Sequence, residues 1–262
     1  MFQDQIHDLV RTAYRRIPSG AGRAMAARLY TEDELALVPE AAVDWSLGVG
    51  NPVRHAGLAR GEVVVDLGCG GGIDTVLAAR QVGPTGRVVG VDMLETMCER
   101  TRAAVEEAGV ADRCEVVQGE MEDLPLPDGC ADVVVSNGVV NLSPRKSRAL
   151  TEAARVLRPG GRFCVSDLTV DQELPPEVLS SGAAWAGCVA GALSEDVFRR
   201  KLARSGLEDV QMAQRIPFSL DDVALYPLFT TEVLELMRRL LPEDARDEIA
   251  TSLIVHARRR RD

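Results

Sequence analysis

The segment VVVDLGCGGGIDT at residues 63–75 constrains the fold more than any other stretch of the chain. Three successive valines without polar alternation describe a strand buried on both faces. The run then meets glycines at 68, 70, 71 and 72 and passes into a helical pattern. Further strand-like runs stand at 88–92, 115–118, 132–136 and 162–166, with helical runs near 74–82, 94–108 and 145–157 between them. Such alternation predicts a mostly parallel sheet covered by helices on both faces. A turn, RPGG at 158–161, leads into the fifth strand.

The flanks differ. Phe2, Ile6, Leu9, Val10, Tyr14 and Ile17 recur at steps of three and four, the mark of an amphipathic helix. Thr31 to Glu34 form a capping box that opens another short helix before Pro39. Residues 1–57 are therefore expected to be a helical N-terminal cap, and 58–262 the main domain. After Asp167 the regular pattern breaks at about 168–193 and again at about 219–250, between a helix at 194–205, a strand near 208–216 and a last strand at 252–257. Insertions this late in an α/β domain predict lids or pocket walls.

Bulk properties narrow the function. At 46% hydrophobic and 27% charged, the 262 residues describe an ordinary globular chain, and the net charge of −10 argues against nucleic acid or an anionic membrane as partner. Residues 258–261, four arginines, read as a solvated tail. The six cysteines, at 69, 98, 114, 130, 164 and 188, include no C-x-x-C pair, so no metal site is expected. The charged N-terminus and the short apolar run at 183–193 predict neither a signal peptide nor a membrane span, and a cytoplasmic location with reduced thiols follows as the expectation.

The glycine turn presents backbone N–H groups at the start of a helix, where a ligand approaches closely. Asp92 ends the next strand, and a carboxylate there suits the two hydroxyls of a ribose. The glycines space as G-x-G-x-G, with Ile73 where a dinucleotide fingerprint needs its third glycine. Asp66, two residues before the first glycine, would repel a pyrophosphate but not an ammonium or a sulfonium. The charge pattern therefore favours S-adenosylmethionine over NAD.

At the level of motifs, VVVDLGCGGG, VVGVDM, VVQGEMEDLPLPDGCADVVVSN and VLRPGGRFCVSD resemble, in order, the motifs of class I S-adenosylmethionine-dependent methyltransferases. The resemblance implies a Rossmann-like, seven-stranded, mostly parallel sheet with one antiparallel strand. It also implies cofactor contacts from Asp66, Gly68, Gly70, Gly72, Asp92, Met93, Glu120, Met121 and Asn137. YTEDELALVPE, SLGVGNP, ARQVGPTGRVVGVDM, VVVSNGVVNLSPRK and AGCVAGALSEDVF further resemble the arsenite methyltransferases over residues 30 to 200. That family holds trivalent arsenic on thiolates, and at its cysteine positions this chain has Val49, Thr75 and Gly138. Only Cys188 remains.

One thiolate does not supply the coordination a soft metalloid needs. The expected acceptor is therefore a small organic molecule, as in secondary metabolism, in a pocket of Val49, Thr75, Gly138, Trp185, Cys188 and Tyr226. Arsenite methylation through Cys188 is the first alternative. The others are use of the cofactor without intermolecular methyl transfer, as in a cyclase or lyase, and binding of the cofactor without catalysis. His55, Asp167 and Tyr226 are the candidate bases, with none singled out, while Glu122 and Asp123 read as a solvated turn.

Overall fold

Why the valine runs become a sheet centre is plain once the strands are placed. The computed structural model describes residues 3–171 and 175–261. Phe2 of the first expected helix, and residues 172–174 of the first late insertion, lie outside them. The strands are β1 (Val63–Leu67), β2 (Arg87–Asp92), β3 (Cys114–Gln118), β4 (Ala131–Asn137), β5 (Leu157–Thr169), β6 (Leu207–Phe218) and β7 (Ala250–Arg259), in the order β3-β2-β1-β4-β5-β7-β6. β7 is antiparallel to both neighbours and the other pairings are parallel. Val64, Val65, Val133, Val134 and Val135 are fully buried, as strands covered on two faces require.

Thirteen α-helices lie among the described residues. The N-terminal ones are α1 (Gln3–Arg15), α2 (Arg23–Leu29), α3 (Glu32–Leu35), α4 (Glu40–Val43) and α5 (Pro52–His55). The sheet is crossed by α6 (Ile73–Val82), α7 (Glu95–Glu107) and α8 (Lys146–Val156). Then follow α9 (Pro176–Leu179), α10 (Gly182–Ala186), α11 (Glu195–Arg204), α12 (Leu220–Val223) and α13 (Thr231–Leu240). One face of the sheet packs on α6 and α7 together with N-terminal and late-insertion residues such as Met25, Phe229 and Met237. The other packs on α8 and α11 through Leu150, Ala153, Phe198 and Leu202. The late insertion and the N-terminal helices thus share one core, fastened at its edge by the Arg28–Asp222 ion pair.

Two local expectations change. The turn at 158–161 falls inside β5, because Leu157 already pairs with Ala131 and the register shifts before Arg162 pairs with Val133. The arginines at 258–261 are not a free tail: Arg258 and Arg259 belong to β7, Arg259 donates to the carbonyls of Arg155 and Leu157, and Arg260 donates to Ala203. No helix among the described residues is long and apolar enough to cross a membrane.

Candidate active site

The chain runs from β1 outward to β3 and returns to β4 on the other side of β1. A crevice must open where that order reverses, at the carboxyl ends of β1 and β4. The structure has a cleft there whose empty space, counted out into open solvent, is about 1020 Å³. Its floor is the glycine turn. Gly68 sits at φ +77°, and a Cβ on it would stand 2.5 Å from a Val139 methyl, so only glycine lets the turn lie this close to the end of β4.

Asp92 borders the cleft at the end of β2. Its carboxylate accepts from the N–H of Gly70 at 3.1 Å and of Leu94 at 2.9 Å, which locks the turn against the second strand. Burial pushes its pKa up, and backbone N–H groups oppose that shift. Beyond it, Met93, Gly119, Glu120, Met121 and Leu124 form a slot of apolar side chains with one carboxylate at its edge.

At the other end Asn137 ties three segments together. Its Oδ1 accepts from Val49 N at 2.9 Å and Gly50 N at 3.1 Å, and its Nδ2 donates to Gly50 O at 2.8 Å, Asp74 Oδ2 at 2.9 Å and Tyr30 Oη at 3.0 Å. The Tyr30 hydroxyl in turn donates to Asp74 Oδ1 at 2.9 Å. A Cβ on Gly48 would overlap the Asn137 amide, so the loop at 46–51 needs glycine to reach this knot.

Helix α1 forms the roof. His7, Val10 and Tyr14 line the cleft. His7 Nε2 lies 3.0 Å from Glu122 Oε1, Arg11 donates to Glu120 at 2.6 Å, and Tyr14 Oη donates to the Ala186 carbonyl at 3.4 Å. Glu122 is therefore not a solvated turn: it is 4% exposed and also accepts from Ser143 Oγ at 2.5 Å.

The expected site residues separate into two groups. Gly68, Gly70, Asp92, Met93, Glu120, Met121, Asn137 and Gly138 border the one cleft. Asp66 lies beneath the glycine turn and accepts from Thr75 Oγ1 at 2.6 Å, so Thr75 points under the floor and is no part of the acceptor wall. Gly72 faces Thr101 and Ala104 of α7. Val49 is buried against Gly138, its Cγ1 3.3 Å from where a Gly138 Cβ would be.

Cys188 is buried behind that pair and donates its thiol to the Gly138 carbonyl at 3.0 Å; burial pushes its pKa well up. Trp185 backs the same wall, donating to Leu142 O at 3.4 Å, and Tyr226 donates to Gly48 O at 2.7 Å. Asp167 is fully buried and serves Asn141 and Leu168, with a pKa raised to about 6 by burial. His55 lies away from the strand ends, near His256, and burial lowers its pKa. None of Asp167, His55 and Tyr226 borders the cleft.

Sequence reasoning missed His7, Val10, Tyr14, Trp45 and Asp74 as cleft residues. For Asp74 a signal existed: it opens α6 directly after the glycine turn. For Trp45, stacked under the Arg100 guanidinium at 3.5 Å, nothing local marked it.

The donor set fits S-adenosylmethionine. A carboxylate at the second strand end, an apolar slot beside it, a glycine turn whose Gly68 leaves no room for a Cβ, and acidic rather than basic groups match a cationic nucleoside and would repel a pyrophosphate. Among the described residues no group of three or more His, Cys, Asp or Glu is placed to hold a metal ion.

Comparison with known proteins agrees. A methyltransferase-domain family model matches residues 58–214. The chain is 42% identical over 186 residues to an arsenite methyltransferase of Halobacterium salinarum, covering 71% of this chain and 47% of that protein. It is 33% identical over 183 residues to the human arsenite methyltransferase, covering 67% and 46%. The crystal structure of an arsenic(III) S-adenosylmethionine methyltransferase from Chlamydomonas reinhardtii superposes with a TM-score of 0.66 at 31% identity, over 93% of this chain and 74% of that one. The chain spans about half the length of the curated relatives it matches. Fold, cleft and kinship together make it a member of the class I S-adenosylmethionine-dependent methyltransferases, close to the arsenite methyltransferases.

Proposed function

We propose that the protein methylates a small organic molecule held beneath α1. The observation that carries this reading is the state of the acceptor wall. Val49 and Gly138, where the arsenite methyltransferases have cysteines, pack against one another as side chain and vacancy. Thr75 is turned under the floor to Asp66, and the Cys188 thiol is committed to the Gly138 carbonyl. What faces the cleft instead is Val10, Tyr14, Leu47, Val139 and Leu142, an apolar surface suited to an organic acceptor.

In this reading Asp92 holds the ribose, Met93, Met121 and Leu124 enclose the adenine with Glu120 at its edge, and the glycine turn carries the amino-acid arm. S-adenosylmethionine supplies an electrophilic methyl group on a positively charged sulfur. The protein's part is alignment and exclusion of water, for which α1 is the closing element. No base is assigned, since His55, Asp167 and Tyr226 stand outside the cleft.

Incubation with methyl-labelled S-adenosylmethionine and a small-molecule extract tests the proposal. The expected result is label in an organic product together with S-adenosylhomocysteine. Methylthioadenosine as the adenosine product, or label on no organic compound, contradicts it. A second reading, arsenite methylation, is favoured by the names of the relatives at 42% and 33% identity and by the surviving Cys188.

A further inference from the structure

Asp74 lines the cleft yet is only 6% exposed, and Asp66 beneath it is 2% exposed. The partners of these carboxylates are all neutral: Tyr30 and Asn137 for Asp74, Thr75 for Asp66. Facing them are further acids, Asp92 and Glu34, and Glu34 is itself paired with Arg54. A buried carboxylate without a cation costs several kcal/mol when ionised. The pKa values of both are accordingly raised, in the first place by burial. Such an arrangement is incomplete until a positive charge enters the cleft. The Asn137 knot also places Asp74 at the end of the cleft remote from the adenine slot, beside Gly48 and Gly138.

We infer that Asp74, oriented by Tyr30 and Asn137, receives the ammonium of the cofactor's amino-acid arm and is a binding residue distinct from the ribose carboxylate. This rests on the cofactor assignment above. The ammonium replaces the proton as the neutralising charge, so binding at and below about pH 6 releases protons, and affinity rises as pH climbs through that range. Loss of this one contact leaves the nucleoside contacts intact.

Calorimetry with two ligands decides the matter: S-adenosylhomocysteine, and the same molecule lacking its amino group. Wild type should bind the deaminated ligand about 30-fold more weakly, the scale of one charge-assisted hydrogen bond. Asp74→Asn should bind S-adenosylhomocysteine about 30-fold more weakly and scarcely distinguish the two ligands. Binding of S-adenosylhomocysteine to wild type near pH 5.5, below the value of about 6 to which Asp74 is raised, compared between buffers of different ionisation enthalpy, should show proton release that the deaminated ligand lacks. These two wild-type measurements stand even where the variant does not fold. Equal affinity of wild type for both ligands, equal proton release by both, or unchanged discrimination in Asp74→Asn overturns the inference. Binding of neither ligand by wild type overturns the cofactor assignment with it.

Discussion

Asp92→Ala is expected to weaken S-adenosylhomocysteine binding by about 100-fold or more, the largest effect of any single change in the cleft. The carboxylate has two duties. It fixes Gly70 and Leu94 through their N–H groups, and it borders the cleft where a ribose would lie. Each charge-assisted hydrogen bond contributes about 1.5–3 kcal/mol, so losing two from the ribose alone reaches that scale. Asp92→Asn retains an acceptor oxygen but not the charge, and should fall between wild type and alanine. Calorimetric titration measures the affinity. A thermal melt run beside it shows whether the glycine turn has also loosened. Affinity unchanged in Asp92→Ala would show that the nucleoside lies elsewhere.

Asn137→Ala is expected to destabilise the fold itself. The side chain satisfies two backbone N–H groups of the loop at 46–51, one backbone carbonyl, Tyr30 and Asp74. An alanine leaves the Val49 and Gly50 N–H groups and the Gly50 carbonyl without this partner, at about 1–3 kcal/mol for each that water does not reach, while Tyr30 and Asp74 keep the hydrogen bond between them. A net loss of about 3 kcal/mol lowers the melting temperature by about 6–12 °C in a chain of this size. It also frees the loop, so cofactor affinity falls as well. Differential scanning fluorimetry reads the first effect, and a wild-type melting temperature in the variant would show that the knot carries no strength.

The sheet was legible because its signal is local. A doubly covered strand is apolar on both faces, and the runs at 63–67 and 132–136 each carry three successive valines. The glycine turn and Asp92 were legible for the same reason: backbone geometry and a strand-end acid are written in a few adjacent residues. The roof was not. His7 meets Glu122 across 115 positions and Arg11 meets Glu120 across 109, and nothing near either end announces its partner. Glu122 looked like part of a polar turn, and burial by His7 and Ser143 makes it a core anchor instead.

Thr75 was misplaced for a reason the helix itself supplies. Successive residues of α6 turn by 100°, so when Ile73 and Asp74 face the cleft, Thr75 faces Asp66 and the underside of the glycine turn. Asp74 took the position assumed for its neighbour. The bases proposed from sequence were misplaced through tertiary contacts. Asp167 is consumed by Asn141, and Tyr226 by the Gly48 carbonyl.

We propose an organic acceptor for this methyltransferase scaffold, which has Val49, Thr75 and Gly138 where the resemblance to arsenite methyltransferases implies thiols. Incubating the protein with S-adenosylmethionine, arsenite and glutathione, and separating the arsenic species by mass, tests it most directly. Inorganic arsenite is expected to stay unchanged, with S-adenosylhomocysteine at its background level. Methylated arsenic formed over many turnovers, and lost in Cys188→Ala, would contradict it.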